Sequence, residues 1–406
     1  MPLSPETLAA LRSDAAAQLP SLVELRRALH RTPEIGLDLP VTQQLVLDAI
    51  APLDLEVRTG SGLSSVVAVL RGGRPGPAVL LRGDMDALPV TEDSGEPFTS
   101  ERDGVMHACG HDLHVAGLVG AARLLADRRD QLAGDVVLMF QPGEEGDHGA
   151  RLMIDEGVLD AAGSRVVAAY GLHVMSSVLP TGLVASKAGT MLAAADSVVV
   201  TVQGRGGHGS MPHLAADPVP VAAEIVLALQ AMVTRQFDVF DPVVVTVGKI
   251  EAGTTNNVIP ATAVLEATVR SFSEATHALV PERFTRVVDG IAAAHGLTAT
   301  VDYRRGYPVT SNTPAEVDRL AGLVREMLGE QAYLTAPQPL SGAEDFSYVL
   351  QLVPGTYFGL GATPVGEDPA TAAYNHSAQA RFAEESLAVG PAVLTALAMD
   401  RLAEGG

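Results

Sequence analysis

The spacing of apolar residues predicts an alternation of strands and helices in the first half of the chain. Helical spacing covers residues 8–50, 113–127 and 149–156, and short apolar runs occupy 66–70, 78–81, 136–140 and 166–170. Clusters of glycine and proline separate several of these segments. Strands that alternate with helices in this way are typical of a mainly parallel sheet with helices on both of its faces.

The pattern changes after residue 188. It then reads strand, helix, two strands, helix and strand, at residues 197–203, 215–235, 243–250, 261–270, 277–295 and 297–303. This order matches a ferredoxin-like split β-α-β module. Residues 313–406 return to helices and a short strand. We therefore predict a discontinuous α/β domain with an inserted ferredoxin-like α+β domain, the first at 1–188 and 304–406 and the second at 189–303.

Length and charge limit the possible functions. A chain of 406 residues is too long for one hydrophobic core. Its 27 basic and 48 acidic residues give a formal charge of −21, which argues against a broad basic surface for nucleic acid or anionic membrane. No apolar run approaches the roughly 18 residues that cross a bilayer. The first residues do not resemble a secretory signal, so we expect a cytoplasmic protein.

Polar clusters follow three of the predicted strands, with the sequences RGDMD at 82–86, QPGEE at 141–145 and GLH at 171–173. Ligand sites of parallel sheets gather beyond the carboxyl ends of the strands, so we expect these clusters to converge. Between the first two lies HACGHDLH, at 107–114, which places three histidines, the single cysteine and an acid just before a helix. Imidazole, thiolate and carboxylate are the usual ligands of zinc-like ions. A metal site is therefore favoured over a buried cysteine with surface histidines that cap a helix.

Individual acids in these clusters have two possible interpretations. Glu144 and Glu145 are an ordinary acidic turn, or one binds a metal while the other acts as a general base. Asp86 is a turn acid, or its carboxylate orients a ligand imidazole. His376, in the segment YNHS, reads as part of a surface loop when it is taken alone.

The segment GRGGHG at 204–209 formally matches a dinucleotide-binding pattern. Such a site needs its third glycine to open a helix, and here Ser-Met-Pro follows instead. We interpret the segment as a loop that presents His208. Arg270, at the end of a predicted strand, is by default a surface cation, although an arginine in such a place can bind a carboxylate with two hydrogen bonds.

Taken together, these segments resemble the M20 family of metallopeptidases, in its amidohydrolase branch of hippurate, N-acyl-amino-acid and auxin-conjugate hydrolases. The resemblance rests on RGDMDALP, HACGHDLH, QPGEEG, GLHV, GRGGHGSMPH, NNVIP, TVRSF, SGAEDF and NHS, in shared order over residues 82–377. It implies two divalent metal ions per chain, zinc or else manganese, cobalt or nickel. The ligands it implies are a bridging Cys109 with His111, Glu145, His173 and His376. Many other M20 members have histidine at Asp84 and a bridging aspartate at Cys109, so the chain fits the branch rather than the wider family.

The same resemblance implies roles for residues outside the ligand set. Glu144 is the implied catalytic base. The inserted domain is the implied lid or dimerisation domain, whose His208 reaches the active site of a partner subunit. Asn257 and Arg270 match positions that contact substrate. We therefore expect hydrolysis of a small N-acyl amino acid by a homodimer or higher homo-oligomer.

Three alternatives stay open. A dipeptidase or other exopeptidase of the same fold would need a site for the ammonium group of its substrate, and the sequence shows no clear one. A metal-dependent binding protein without turnover would have no need of Glu144 beside a complete ligand set. A redox protein that used Cys109 would lack a resolving cysteine.

Overall fold

The computed structural model describes residues 3–404 and contains two units. The first unit runs to Met191 and includes Ser311–Gln338 and the chain from Tyr348 onward, and the second consists of Leu192–Thr310 and Pro339–Ser347. The predicted insert, 189–303, therefore differs from the second unit mainly at its C-terminal end. The separate segment belongs with the second unit because the backbone of Ala193 donates to the carbonyl of Leu340 at 3.1 Å.

The elements are as follows in chain order. The helices are α1 (Pro5–Arg31), α2 (Pro40–Ile50), α3 (His111–Ala126), α4 (Gly149–Asp155), α5 (Pro218–Gln236), α6 (Glu274–Ala294), α7 (Pro314–Leu328), α8 (Ser347–Leu350) and α9 (Gly390–Ala403). The strands are β1 (Glu56–Thr59), β2 (Val66–Leu70), β3 (Arg74–Asp84), β4 (Ala133–Gln141), β5 (Ala168–Met175), β6 (Val184–Ser186), β7 (Gly189–Leu192), β8 (Ala194–Gln203), β9 (Gly207–His208), β10 (Val243–Ala252), β11 (Val258–Ile259), β12 (Thr262–Ser271), β13 (Thr298–Tyr307), β14 (Thr310–Asn312), β15 (Tyr333–Thr335) and β16 (Gly355–Gly361).

The first unit is built on an eight-stranded sheet with the strand order β1-β2-β4-β3-β5-β16-β6-β15. Its four central strands, β4, β3, β5 and β16, are parallel, whereas β1, β2 and β6 each have an antiparallel neighbour. The predicted α/β fold with a mainly parallel sheet is confirmed at this centre. The predicted helical stretch at 8–50 is divided in two, because Pro33 and Gly36, with φ of +79°, lie between α1 and α2.

Helices α1, α3 and α9 pack against one another beside β3. Helix α3 is buried along nearly its whole length, and Gly120 faces both α1 and α9. A Cβ at Gly120 would meet Leu22 of α1 at 2.8 Å and Pro391 of α9 at 2.9 Å. This packing fixes the position of α3, and α3 begins at one of the predicted ligands, His111.

The second unit has an antiparallel sheet with the strand order β10-β12-β8-β13, against which α5 and α6 pack. The chain order β8-α5-β10-β12-α6-β13 and this strand order are those of a split β-α-β fold. The predicted ferredoxin-like module is therefore confirmed. Every second residue of β8 faces the hydrophobic core of the second unit, to which Val198, Val200 and Val202 belong.

Two helical segments within residues 3–404 are long and apolar enough to cross a membrane by length and composition alone, Pro218–Gln236 and Glu384–Ala403. The second segment is mostly buried inside the protein, with 72% of its apolar window covered. The first segment, α5, places Ile225, Leu229 and Met232 in the core of the second unit. Buried helices of soluble proteins often have this length and apolar composition, so these two features are weak support for a membrane span.

Candidate metal centre

The three polar clusters lie at one edge of the large sheet. Asp84 at the end of β3 is in register with Gln141 at the end of β4, and Arg82 of β3 is in register with Gly171 of β5. These strands are parallel, so the residues that follow them emerge side by side. The strand ends converge as the sequence predicts.

A tight turn places Cys109 directly before α3. Gly110 has φ of +78°, and a Cβ at this position would meet Val174 Cγ2 at 2.4 Å. Glycine is therefore required both for the backbone conformation and for the close approach to β5. The turn buries Cys109 and His111 next to each other, with 6% and 1% of their surfaces exposed.

Cys109 belongs to two groups of possible metal ligands. Its Sγ lies 3.3 Å from His173 Nε2 and 3.2 Å from His376 Nε2, and the same His376 nitrogen lies 3.2 Å from Glu145 Oε1. Within each group the ligand atoms lie within 4.8 Å of one another, the groups being Cys109 with His111 and His173, and Cys109 with Glu145 and His376. The structure thus brings together all five residues predicted as ligands. Donors bound to one tetrahedral ion lie roughly 3.3–3.8 Å apart, which is close to this spacing.

Backbone carbonyls orient two of the imidazoles. His111 Nδ1 lies 2.8 Å from the carbonyl oxygen of Asp86, and His173 Nδ1 lies 2.8 Å from that of Val174. Because a carbonyl only accepts, each Nδ1 carries a proton and donates it. Nε2 of each ring is then the nitrogen that a metal ion can use.

The Asp86 carboxylate holds the turn that carries the two glutamates. Its Oδ1 accepts from the backbone N–H of Glu144 and its Oδ2 from that of Glu145, both at 3.0 Å. The sequence left two interpretations of Asp86, a turn acid or a carboxylate that forms a hydrogen bond to orient a ligand imidazole, and this carboxylate lies 3.5 Å from His111 Nδ1. The carbonyl of the same residue makes that hydrogen bond instead. Asp86 therefore orients His111 through its main chain and positions Glu144 and Glu145 through its side chain.

The other two histidines of the HACGHDLH motif are arranged differently. His114 Nδ1 hydrogen-bonds to Asp84 Oδ1 at 2.5 Å, and its Nε2 accepts from the backbone N–H of Val174 at 2.8 Å. Both nitrogens are therefore engaged within the protein. Burial lowers the pKa of His107 to about 3, which keeps this ring neutral. Its nitrogens make no hydrogen bond to any residue that the structure describes.

Charge within the cluster favours an ionised thiol. Burial alone would raise the pKa of Cys109, but the imidazoles of His173, His111 and His376 outweigh it and hold this pKa well below its usual range. In return, Cys109 and Glu145 raise the pKa of His376 to about 10. Burial, followed by the charge of Cys109, raises the pKa of Glu145. The thiolate is thus in the state that binds a metal ion.

Three further predicted residues lie in the second unit. His208 is exposed in β9, where it pairs with Val258 of β11. Asn257, directly before β11, is also exposed, and its carbonyl accepts from Gly209 at 2.8 Å. Arg270 lies near the end of β12 and is half-buried. After β9 the chain makes a turn and a single 3-10 turn at Pro212–Leu214, and no α-helix begins at Gly209, as a dinucleotide-binding segment would need.

Comparison with known proteins identifies the family. A family model described as Peptidase family M20/M25/M40 matches residues 80–400. The chain belongs to this family. The M20 resemblance read from the sequence is thereby confirmed, and the protein is a hydrolase of the M20 family.

The similar proteins include both a carboxypeptidase and a deacetylase. The chain is 38% identical over 373 residues to thermostable carboxypeptidase 2 of Saccharolobus solfataricus, with 91% of this chain and 92% of the relative covered. It is also 38% identical over 337 residues to N-acetyl-L-cysteine deacetylase of Bacillus subtilis, with 83% and 79% covered. A Bacillus subtilis crystal structure, that of the YXEP protein, a dinuclear metal binding peptidase from the M20 family, matches with a TM-score of 0.82 and 31% identity, covering 96% of this chain and 99% of that one.

One buried cluster in this M20 hydrolase escaped the sequence interpretation. Asp112, in the first turn of α3, accepts from Arg26 Nε at 2.7 Å and lies 2.8 Å from His30 Nδ1. His30 Nε2 in turn lies 3.1 Å from Glu92. The cluster anchors the start of α3, beside His111. Its only signal in the sequence is the spacing of Arg26 and His30, one helical turn apart on the same face as the buried Leu22 and Leu29.

Proposed function

We propose that this chain is a metal-dependent amidohydrolase that cleaves the amide bond of N-acyl amino acids and releases a carboxylic acid and an amino acid. The observation that carries the proposal is the placement of Glu144 next to a set of thiolate, imidazole and carboxylate donors. A protein that only binds metal needs the donors but not the additional acid. The name of the deacetylase relative supports the same class of substrate.

The donor set fits divalent metal ions. His111 Nε2 and Glu145 Oε1 are buried and make no hydrogen bond within residues 3–404, although Asp84 Oδ2 lies 3.4 Å from the first atom and His376 Nε2 lies 3.2 Å from the second. A buried polar atom without a hydrogen bond costs about 1–3 kcal/mol, which a metal ligand bond removes. Atoms that approach one another without hydrogen-bond geometry are expected where ligands converge on an ion.

We assign the metal ligands from the two groups that share the Cys109 thiolate. One ion would be held by Cys109 with His111 and His173, and the other by Cys109 with Glu145 and His376. When bound, such ions supply Lewis acidity, which lowers the pKa of a water molecule and polarises the scissile carbonyl. Thiolate favours zinc, and manganese, cobalt and nickel are the other candidates.

Glu144 is the proposed general base. Its carboxylate would take a proton from the attacking water and then deliver that proton to the leaving nitrogen. The residue is 7% exposed, and its backbone is held by Asp86. This anchoring limits the positions that the carboxylate can adopt, as general acid–base catalysis requires.

The residues of the second unit complete the proposal. His208 of one subunit would donate a hydrogen bond to the oxyanion in the site of a partner subunit, so the active protein would be a dimer or a higher oligomer. Asn257 and Arg270 would contact substrate, with Arg270 binding the free α-carboxylate. We also propose that the protein is soluble and cytoplasmic.

A carboxypeptidase is the second candidate, because thermostable carboxypeptidase 2 is a relative at 38% identity. Such an enzyme also recognises the free carboxylate of its substrate, so Arg270 would serve either activity. The two candidates differ in what precedes the scissile amide, a simple acyl group or a peptide.

The test combines metal analysis with a substrate panel. We expect up to two ions per chain, loss of turnover on chelation and recovery when metal is added back. The panel compares N-acetyl, N-benzoyl and indole-acetyl amino acids with free dipeptides and N-blocked dipeptides. Full activity in metal-free protein contradicts the metal mechanism, and a preference for peptides over every acyl amino acid favours the carboxypeptidase.

A further inference from the structure

Asn375 is a buried asparagine beside the metal centre to which neither the sequence nor the proposed mechanism gives a role. It directly precedes His376, and 9% of its surface is exposed. Its Oδ1 accepts from the backbone N–H of Ser176 at 3.0 Å, and its Nδ2 donates to the carbonyl of Val174, also at 3.0 Å. These two partners fix which way the amide points, because an N–H cannot accept and a carbonyl cannot donate.

The peptide group of Val174 is held at both ends. Its N–H donates to His114 Nε2 at 2.8 Å, and its carbonyl accepts from Asn375 Nδ2 and from His173 Nδ1, the latter at 2.8 Å. Asn375 and the His173 ring thus share one acceptor. Because His173 is oriented by this carbonyl, a displacement of the carbonyl would turn the ring away from Cys109.

The same amide reaches the segment that contains Cys109. Asn375 Nδ2 lies 3.4 Å from the Cys109 carbonyl oxygen and 3.9 Å from its Sγ. The backbone of His376 also donates to the carbonyl of Ala108 at 2.8 Å. His376 itself has φ of +72°, a conformation that a residue other than glycine adopts at a cost, so its loop needs such anchors.

We propose that Asn375 is a positioning residue of the metal centre, which holds the segments of Cys109, His173 and His376 in the arrangement that binds two ions. The inference rests on the proposed function, since it assumes that these three residues are ligands. Asn375 would touch neither substrate nor metal. Loss of a hydrogen-bonding partner behind the ligands typically lowers metal affinity by about 10–100-fold.

Asn312 offers a matched control in the same unit. It is 2% exposed, its Nδ2 donates to the carbonyl of Tyr357 at 2.9 Å and to Ser186 Oγ at 3.0 Å, and its Oδ1 accepts from the N–H of Tyr357 at 2.7 Å. None of these partners is a proposed ligand. Replacement of either asparagine by alanine removes a similar set of buried hydrogen bonds, so both variants should lower the melting temperature. Only one should change metal binding.

The experiment titrates metal-free wild type, Asn375→Ala and Asn312→Ala with Co²⁺ in competition with a chromophoric chelator, and records the visible spectrum at saturation. We expect Asn375→Ala to bind Co²⁺ about 10–100-fold more weakly, with altered cobalt absorption bands that report a changed ligand geometry. Asn312→Ala should keep the wild-type affinity and spectrum. Asn375→Ser, which retains a small polar group, provides a second variant that should show a smaller loss.

Two outcomes would overturn the positioning role. One is wild-type Co²⁺ affinity and spectrum in the Asn375 variants, and the other is an equal loss of affinity in Asn312→Ala. A wild-type protein that binds no Co²⁺ would instead contradict the proposed function, and the role of Asn375 with it. The wild-type titration therefore separates a failure of the metal site from a failure of this inference.

Discussion

The candidate residues of the two units are held in contrasting ways. In the first unit, His111 and His173 are oriented by backbone carbonyls, and Glu144 is held by a carboxylate 58 positions away in the chain. In the second unit, His208 Nδ1 hydrogen-bonds to Ser210, two positions away, and Arg270 donates to its near neighbours Thr268 and Val269. The fold thus sets the geometry of the metal centre in advance, whereas His208 and Arg270 are held by local contacts, and under the proposed mechanism a partner or substrate would order them.

The largest effect is expected from replacing the two adjacent glutamates of the metal centre, to which we assign different roles. Glu144→Gln should lower turnover by about 10²–10⁴-fold while metal content stays near normal, because only the base is lost. Glu145→Gln should lower both metal content and turnover, because a ligand is lost. Elemental analysis and kcat at saturating metal measure the two effects. Equal metal loss in both variants, or near wild-type turnover in Glu144→Gln, contradicts the assignment.

The strands of the first unit show how far the sequence could predict the structure. β2 was predicted at its observed bounds, because a run of valine and leucine gives a strong strand signal. β1, β6 and β15 have only three or four residues, and β1 is exposed throughout, so apolar spacing could not reveal them. Length and burial of a strand thus decide whether it is visible in the pattern.

For the metal centre, the sequence could predict which residues converge but not how they are held. The density of histidine, cysteine and acid at strand ends was enough to predict that these clusters converge, whereas His376 joined the ligand set only through the family resemblance. Asp86 contacts His111 through its main-chain carbonyl and Glu144 through its carboxylate. Which group makes which contact depends on the tertiary structure and cannot be read from the spacing of residues in the sequence. The same holds for the pair of Arg26 and Asp112, which lie 86 positions apart.

The second prediction asks whether exposed His208 acts in a partner's site. His208→Ala and Glu144→Gln homodimers should each be nearly inactive, because an oxyanion donor contributes about 10²–10³-fold to kcat and the general base contributes about 10²–10⁴-fold. A mixed dimer would contain one site with both defects and one with neither, so it should recover about half of wild-type activity.

The two variants are co-expressed with different tags, and the doubly tagged species is purified and assayed. Its metal content serves as the control. If a heterodimer with normal metal content is no more active than either parent, then His208 acts within its own chain or not at all.

A smaller effect should follow from the loss of Arg270. Arg270→Ala should lower kcat/KM by about 10–100-fold on substrates with a free α-carboxylate, because charge-assisted hydrogen bonds are lost, and much less on the matching amides. Arg286→Ala on the exposed face of α6 is the control, since its ion pair with Glu282 is solvated. Parallel losses on acids and amides would remove Arg270 from the substrate site.

The smallest effect concerns stability inside the second unit, which has one well-held ionic cluster. His277 Nε2 lies 3.0 Å from both carboxylate oxygens of Asp196, and Tyr303 donates to the same carboxylate at 2.9 Å. The hydrogen bond with Asp196 and the carboxylate of Glu274, 3.8 Å from His277 Nδ1, raise the pKa of His277 to about 9. The charged imidazole therefore stabilises the folded state fully below its unfolded pKa of about 6.5, and this stabilisation is lost as pH rises through about 9.

His277→Gln should accordingly be less stable than wild type at pH 6, and the gap in the free energy of unfolding should narrow by about 1–2 kcal/mol as the pH rises to 9.5. Urea denaturation across this pH range measures the gap. His295→Gln is the control, because the 2.7 Å pair of His295 with Glu224 is largely exposed and such pairs contribute about 0–1 kcal/mol. If the free energies of unfolding of wild type and His277→Gln change in parallel with pH, the pair of His277 and Asp196 does not stabilise the second unit through its charge. In that case the weaker anchoring of side chains in the second unit, compared with the metal centre, would include this cluster too.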